Sequence, residues 1–254
     1  MSKYIVLDFD GVICNSINEC MLVSHHSYYG NIISNLNELA EIPINQKKEF
    51  IKYRYLVGPA YEYFYLWESI KLKNKTKEKV DVFFNRQVKN IKPKIKNKYL
   101  NIFYENRKKL KNYNINQWIK LNPFYLGISD ALSKKINLNN IFIVTSKDYE
   151  SVNDLLIANN IQISSSHIYS YEKSLDKKIL FKMLIDENNI EVNNINFIDD
   201  KLSHLENVLS LGIKCYLALW GYISPTSYEK AKKIGIKPVE QSDFVPLLNE
   251  IGVS

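Results

Sequence analysis

From residue 122 onward the sequence alternates between two periodicities, and that alternation limits the fold more than any other feature. "NIFIVTS" (140–146), "HIYS" (167–170), "NINFIDD" (194–200) and "IKCYLAL" (213–219) are short apolar runs of strand length. Between them lie "YESVNDLLIANN", "DKKILFKMLIDENN" and "LSHLENVLSLG", whose apolar residues recur at helical spacing. Strands separated by helices imply a parallel, doubly wound α/β sheet. One further strand, "YIVLDF" (4–9), stands far upstream. Residues 17 to 121 between it and the alternation read as helical, with no convincing strand. Pro59 is placed at a helix start and Pro93 past a helix end. The expected organisation is a Rossmann-like core of residues 1–16 and 122–254, with a helical domain, 17–121, inserted after the first strand.

Composition excludes several classes. Nearly half of the residues are hydrophobic and a quarter are charged, as in a globular, soluble chain. No apolar run reaches the roughly 18 residues of a membrane span, so no membrane partner is expected. The start of the chain does not read as a secretory leader. Cys14, Cys20 and Cys215 lack metal-ligand spacing and fit reduced thiols in a cytoplasmic protein. The net charge of +7 invites a nucleic-acid reading. Residues 71–111, however, hold 15 of the basic residues against three acids, and the rest of the chain is acidic. A lysine-rich helical face in water accounts for this, and no nucleic-acid partner is expected.

Ligands of open α/β sheets bind at the carboxyl ends of the strands. Those ends carry Asp8-Phe9-Asp10-Gly11, Thr145-Ser146-Lys147 and Asp199-Asp200, and a lysine pair, Lys177-Lys178, opens the helix before the third. Alternation along a strand sends Asp8 and Asp10 to one side and Phe9 to the other. Carboxylates this close repel unless a cation lies among them. An oxygen-rich pocket suits a hard divalent ion such as Mg²⁺, which shares its shell readily with a phosphate. A hydroxyl and an ammonium nearby can hold the remaining phosphate oxygens. Of the two lysines, Lys177 places Leu180, Phe181, Leu184 and Ile185 on one buried stripe, whereas Lys178 would put Lys182 there.

These residues, in this order, resemble the haloacid dehalogenase (HAD) superfamily in its phosphatase form. "DFDGV", "IVTS", the helix-opening lysine and "FIDD" are similar to its four motifs in turn, and "NPFYLGISDAL" and "LALWGY" to its core re-entry and last strand. The insert resembles its C1-type helical cap in position and helical character, as in phosphoglycolate phosphatase and β-phosphoglucomutase-like members. The resemblance implies Asp8 as nucleophile and Asp10 as acid and base. It implies Thr145, Ser146 and Lys177 on the phosphate, and Mg²⁺ held by Asp8, Asp10, Asp199 and Asp200, with Asp199 direct or through water. Arg54, beside the cap turn Gly58-Pro59, is the expected substrate contact of the cap. Tyr61, Tyr63, Tyr65, Phe64 and Trp67 are expected to pack the cap, and Asn15 and Ser16 to mark its hinge. His25, His26, His167 and His204 are expected in packing or surface roles. The implied activity is Mg²⁺-dependent hydrolysis of a small phosphomonoester by a monomer or homodimer. A phosphomutase, a dehalogenase or a catalytically retired binding module are the alternatives; Asp10 argues against the dehalogenase.

Overall fold

The computed structural model describes residues 2–31, 37–73, 75, 78–134 and 138–252. The chain divides into two compact units, Met1–Asn15 with Pro123–Ser254, and Ser16–Asn122. Strand β1 (Tyr4–Leu7) is followed by helices α1 (Ile17–Tyr29), α2 (Glu38–Glu41), α3 (Ile44–Tyr53), α4 (Glu62–Leu72), α5 (Val80–Lys89), α6 (Pro93–Tyr113) and α7 (Ile115–Lys120). The first unit then resumes with α8 (Leu126–Lys134), β2 (Ile141–Val144), α9 (Tyr149–Ala158), β3 (Ile168–Tyr169) and α10 (Lys177–Asn188). It ends with β4 (Ile195–Asp199), α11 (Leu202–Leu209), β5 (Lys214–Ala218), α12 (Ser227–Lys233), β6 (Lys237–Val239) and α13 (Phe244–Ile251).

The six strands form one parallel sheet in the order β3-β2-β1-β4-β5-β6. Strand β1 lies in the interior, and Ile5, Val6 and Leu7 are fully buried. That explains why its sequence is continuously apolar rather than alternating. The chain moves outward in one direction from β1 to β3 and in the other from β4 to β6. The strand order therefore reverses between β1 and β4, where a crevice opens at the carboxyl ends. In that register Leu7 faces Ile198, which brings Asp8 and Asp199 to the same edge.

Strand β6 was not anticipated from the sequence. It is three residues long and contains Pro238, which cannot donate to a ladder and is tolerated because β6 is an edge strand. Helix α4 also begins three residues later than Pro59 suggests: Pro59 sits in the preceding turn, where the Gly58 amide donates to Glu62 Oε2 at 2.6 Å. Pro93, by contrast, opens α6. Residues 32–36 of the first expected helical stretch and Lys77 of the basic segment lie outside the described residues.

The helical unit is held by aromatic packing and by a buried ion pair between α6 and α1. Phe50 stacks on Trp67 at 4.9 Å, and Tyr63 stacks on Phe103 at 5.3 Å. Arg107 Nε lies 2.7 Å from Glu19 Oε1 and its Nη2 3.0 Å from Oε2, joining α6 to α1. Lys92, Lys94, Lys98, Lys108 and Lys109 of the basic segment are exposed, as a solvated face requires, while Arg107 and Lys111 are buried. Arg107→Met leaves a buried carboxylate without its cation and should cost about 3–5 kcal/mol. Urea unfolding of the full chain, followed by fluorescence, should report that loss. Glu19→Leu combined with Arg107→Met should recover most of it.

Candidate active site

The carboxyl edge of β1 and β4 gathers the charged residues. Asp8 directly follows β1, and its backbone N–H donates to the Ile198 carbonyl at 3.0 Å. Its Oδ1 accepts from the Phe9 amide at 2.8 Å. Lys177, the first residue of α10, is buried, and its Nζ lies 3.0 Å from Asp8 Oδ1 and 2.6 Å from Asp199 Oδ2. Asp176 caps that helix by accepting from the Lys178 amide, which fixes the turn that aims Lys177 inward. Lys178 points elsewhere, to Ser210 Oγ at 2.8 Å.

Asp199 is fully buried and heavily engaged. Its Oδ1 accepts from the Lys201 amide at 2.7 Å, and its Oδ2 receives Lys177 and the Nδ1–H of His204 at 3.1 Å. Asp200 is also buried; its Oδ2 accepts from the Tyr222 amide at 2.5 Å. Asp10 is partly open to solvent, and the wholly buried Lys147 ammonium lies 3.1 Å from its Oδ1. Thr145 lies just past β2, two residues beyond the Leu7–Ile143 pair, and is buried. Its amide donates to the Tyr169 carbonyl at 2.9 Å, and its hydroxyl accepts from the Lys147 amide at 3.1 Å. Ser146 follows in the same turn.

The sequence assigned no role to Lys147 or Tyr222, and the surface or packing role expected of His204 becomes a hydrogen bond to Asp199 at the edge of the site. Lys147 stands in the quoted strand-end triplet, but its partner Asp10 lies 137 residues away. Arg54 belongs to the helical unit, where it is buried. Its Nη1 donates to the Val57 carbonyl at 2.9 Å and its guanidinium lies 5.1 Å from the centre of the Tyr63 ring. These contacts hold the turn before Gly58-Pro59.

The electrostatics are unbalanced. Burial, reinforced by the charge of Asp199, raises the Asp8 carboxyl to about 7 against the pull of Lys177. Burial would also raise Asp199, but Lys177 and His204 hold it below the usual carboxylate range. Burial works against the Lys177 charge, yet Asp199 and Asp8 together keep it above an ordinary lysine. His204 is pushed down by burial to about 4, so it acts as a neutral donor to Asp199. Asp8, Asp199 and Asp200 are three buried carboxylates; the buried Lys177 ammonium lies between the first two, and the buried Lys147 ammonium pairs with Asp10. Donor atoms of Asp8, Asp199 and His204 lie within 4.8 Å of one another. That surplus of negative charge and oxygen donors fits a hard divalent cation. Asp8, Asp199 and Asp200 are the buried carboxylates that could hold it.

No family model matches the sequence, and no curated protein matches it. Solved structures do, over nearly the whole chain. A predicted phosphatase from Clostridium acetobutylicum is 17% identical with a TM-score of 0.57, covering 99% of this chain and 98% of that one. A predicted phosphoglycolate phosphatase from Haemophilus somnus is 14% identical with a TM-score of 0.59, covering 97% of each. A HAD family hydrolase from Deinococcus radiodurans, solved with bound phosphate and sodium, is 13% identical with a TM-score of 0.52, covering 99% and 97%. The fold is thus that of the haloacid dehalogenase-like hydrolases: a Rossmann-like parallel sheet whose first strand is followed by a helical insert.

The raised Asp8 carboxyl carries a stability consequence. Folded Asp8 keeps its proton up to about pH 7, whereas the unfolded carboxyl releases it near its ordinary value. Stability is therefore lost as pH rises through that window. Asp8→Asn, in chelator and at pH 8, should raise Tm by about 2–4 °C, roughly 1 kcal/mol. The gain should shrink towards pH 5. Differential scanning calorimetry at the two pH values checks it.

Proposed function

We propose that the protein is a divalent-cation-dependent phosphatase acting on a small phosphomonoester through an aspartyl-phosphate on Asp8. The observation that carries this reading is the Lys177 ammonium, buried between Asp8 and Asp199 at the strand-order reversal. It screens the nucleophile and leaves a cation next to any phosphate that Asp8 attacks. The fold shared with a predicted phosphatase, and with a solved hydrolase that holds phosphate, supports it further.

The reaction has two displacements. An Asp8 carboxylate oxygen attacks phosphorus in line, and the bond from phosphorus to the substrate oxygen breaks. Asp10 donates a proton to the departing oxygen. Water then attacks the same phosphorus, Asp10 takes its proton, and inorganic phosphate leaves as Asp8 is regenerated. Lys147 holds the Asp10 carboxylate in place through both steps. The Thr145 hydroxyl, the Ser146 amide and Lys177 are the groups that steady charge on the transferring phosphoryl. Asp8, Asp200 and the Asp10 carbonyl would hold Mg²⁺, with Asp199 direct or through water. When bound, the ion neutralises phosphate oxygens and Asp8 together, which lets a carboxylate approach an anion. The three cysteines are buried, consistent with a cytoplasmic protein of reduced thiols. Among the described residues no helix is long and apolar enough to cross a membrane.

A malachite-green screen of phosphomonoesters with Mg²⁺ tests the proposal. Phosphate release from at least one member is expected, with kcat falling at least a thousandfold in Asp8→Asn. Full turnover by that variant, or no release across sugar phosphates, phosphoglycolate and nucleotides, would overturn it.

A further inference from the structure

Three consecutive residues after β5 reach into the carboxyl edge from the far side. The Trp220 indole N–H donates to the Val12 carbonyl at 3.0 Å, on the loop that follows Asp8 and Asp10. The Tyr222 amide donates to Asp200 Oδ2 at 2.5 Å, and its hydroxyl donates to Asn15 Oδ1 at 3.1 Å. Asn15 is the last residue of the sheet unit before the chain leaves it. Between these anchors, Gly221 touches two loops at once. A Cβ on Gly221 would lie 2.4 Å from Asp200 Cβ, 2.4 Å from the Gly11 carbonyl oxygen and 2.6 Å from Asp200 Oδ2. From the opposite loop, Gly11, at φ +91°, would put a Cβ 2.1 Å from Asp200 Oδ2. Asp200 is therefore packed between two glycines and engaged by the Tyr222 amide. Gly221 does not use the left-handed region, so its need for glycine is the close approach alone.

We propose that Trp220–Gly221–Tyr222 is a positioning loop that sets Asp200 for the divalent cation. The inference rests on the phosphatase reading and adds to it a determinant of cation affinity outside the four motifs. A ligating carboxylate binds well only if its rotamer is set before the ion arrives, and the groups that set it influence affinity about 10–100-fold. Here the amide of Tyr222 engages Oδ2, the two glycines leave the space that this carboxylate fills, and Trp220 and Asn15 tie the loop to the nucleophile segment.

Mg²⁺ alone, titrated calorimetrically into the full chain, tests the assignment without substrate. Gly221→Ala should raise the Mg²⁺ Kd at least tenfold, while its Tm in chelator stays within a few degrees of wild type. Should that variant fail to fold, Trp220→Phe combined with Tyr222→Phe removes both side-chain anchors, keeps the residue-222 amide that engages Asp200, and should raise the Kd by severalfold or more. A Kd within twofold of wild type in a folded variant would overturn the loop's role and leave the phosphatase reading intact. A wild-type chain that neither binds Mg²⁺ nor releases phosphate would instead remove that reading, and the inference with it.

Discussion

The site depends on the buried ammonium of Lys177. Lys177 lies within hydrogen-bonding distance of Asp8 and Asp199, and its charge is what allows two carboxylates to sit together in the interior. An isolated charge there would be strongly penalised, and a carboxylate pair without a cation would take up a proton. Even so, the balance is incomplete, since Asp8 remains well above its ordinary pKa. An apolar isostere would be the more stable choice at these positions. Strain of this electrostatic kind is characteristic of functional sites.

The fold supplies this arrangement through connectivity. Reversal of strand order between β1 and β4 leaves an open edge where two strands end in acids. Each acid is then set by a different piece of backbone: Asp8 by the Phe9 amide, Asp199 by the Lys201 amide and Asp200 by the Tyr222 amide. Amides are rigid donors in a folded loop, so each carboxylate rotamer is settled before any ligand binds. Lys147 does the same for Asp10, from the turn in which its own amide engages Thr145.

Much of this could be read from the sequence because it is written in local patterns. The βα alternation and the continuous apolar run of β1 follow from periodicity and two-sided burial. The choice of Lys177 over Lys178 followed from helical phase, and the structure turns the first inward and the second to Ser210. Strand β6 was not legible, since three residues with a proline carry no strand pattern and only an edge position makes them possible.

The sequence by itself determined the class of sheet and the acids, hydroxyl and lysine that stand at its strand ends. Adjacent residues and a repeating period are enough for that. Tertiary structure alone decided which group each of them meets. Lys147 finds Asp10 across 137 residues, Trp220 finds Val12 across 208, and Tyr222 finds Asp200 across 22. Such contacts come from parallel register and loop closure between distant strands, and no local pattern encodes them. Likewise, the need for glycine at position 221 exists only because Asp200 and Gly11 arrive beside it in the folded chain.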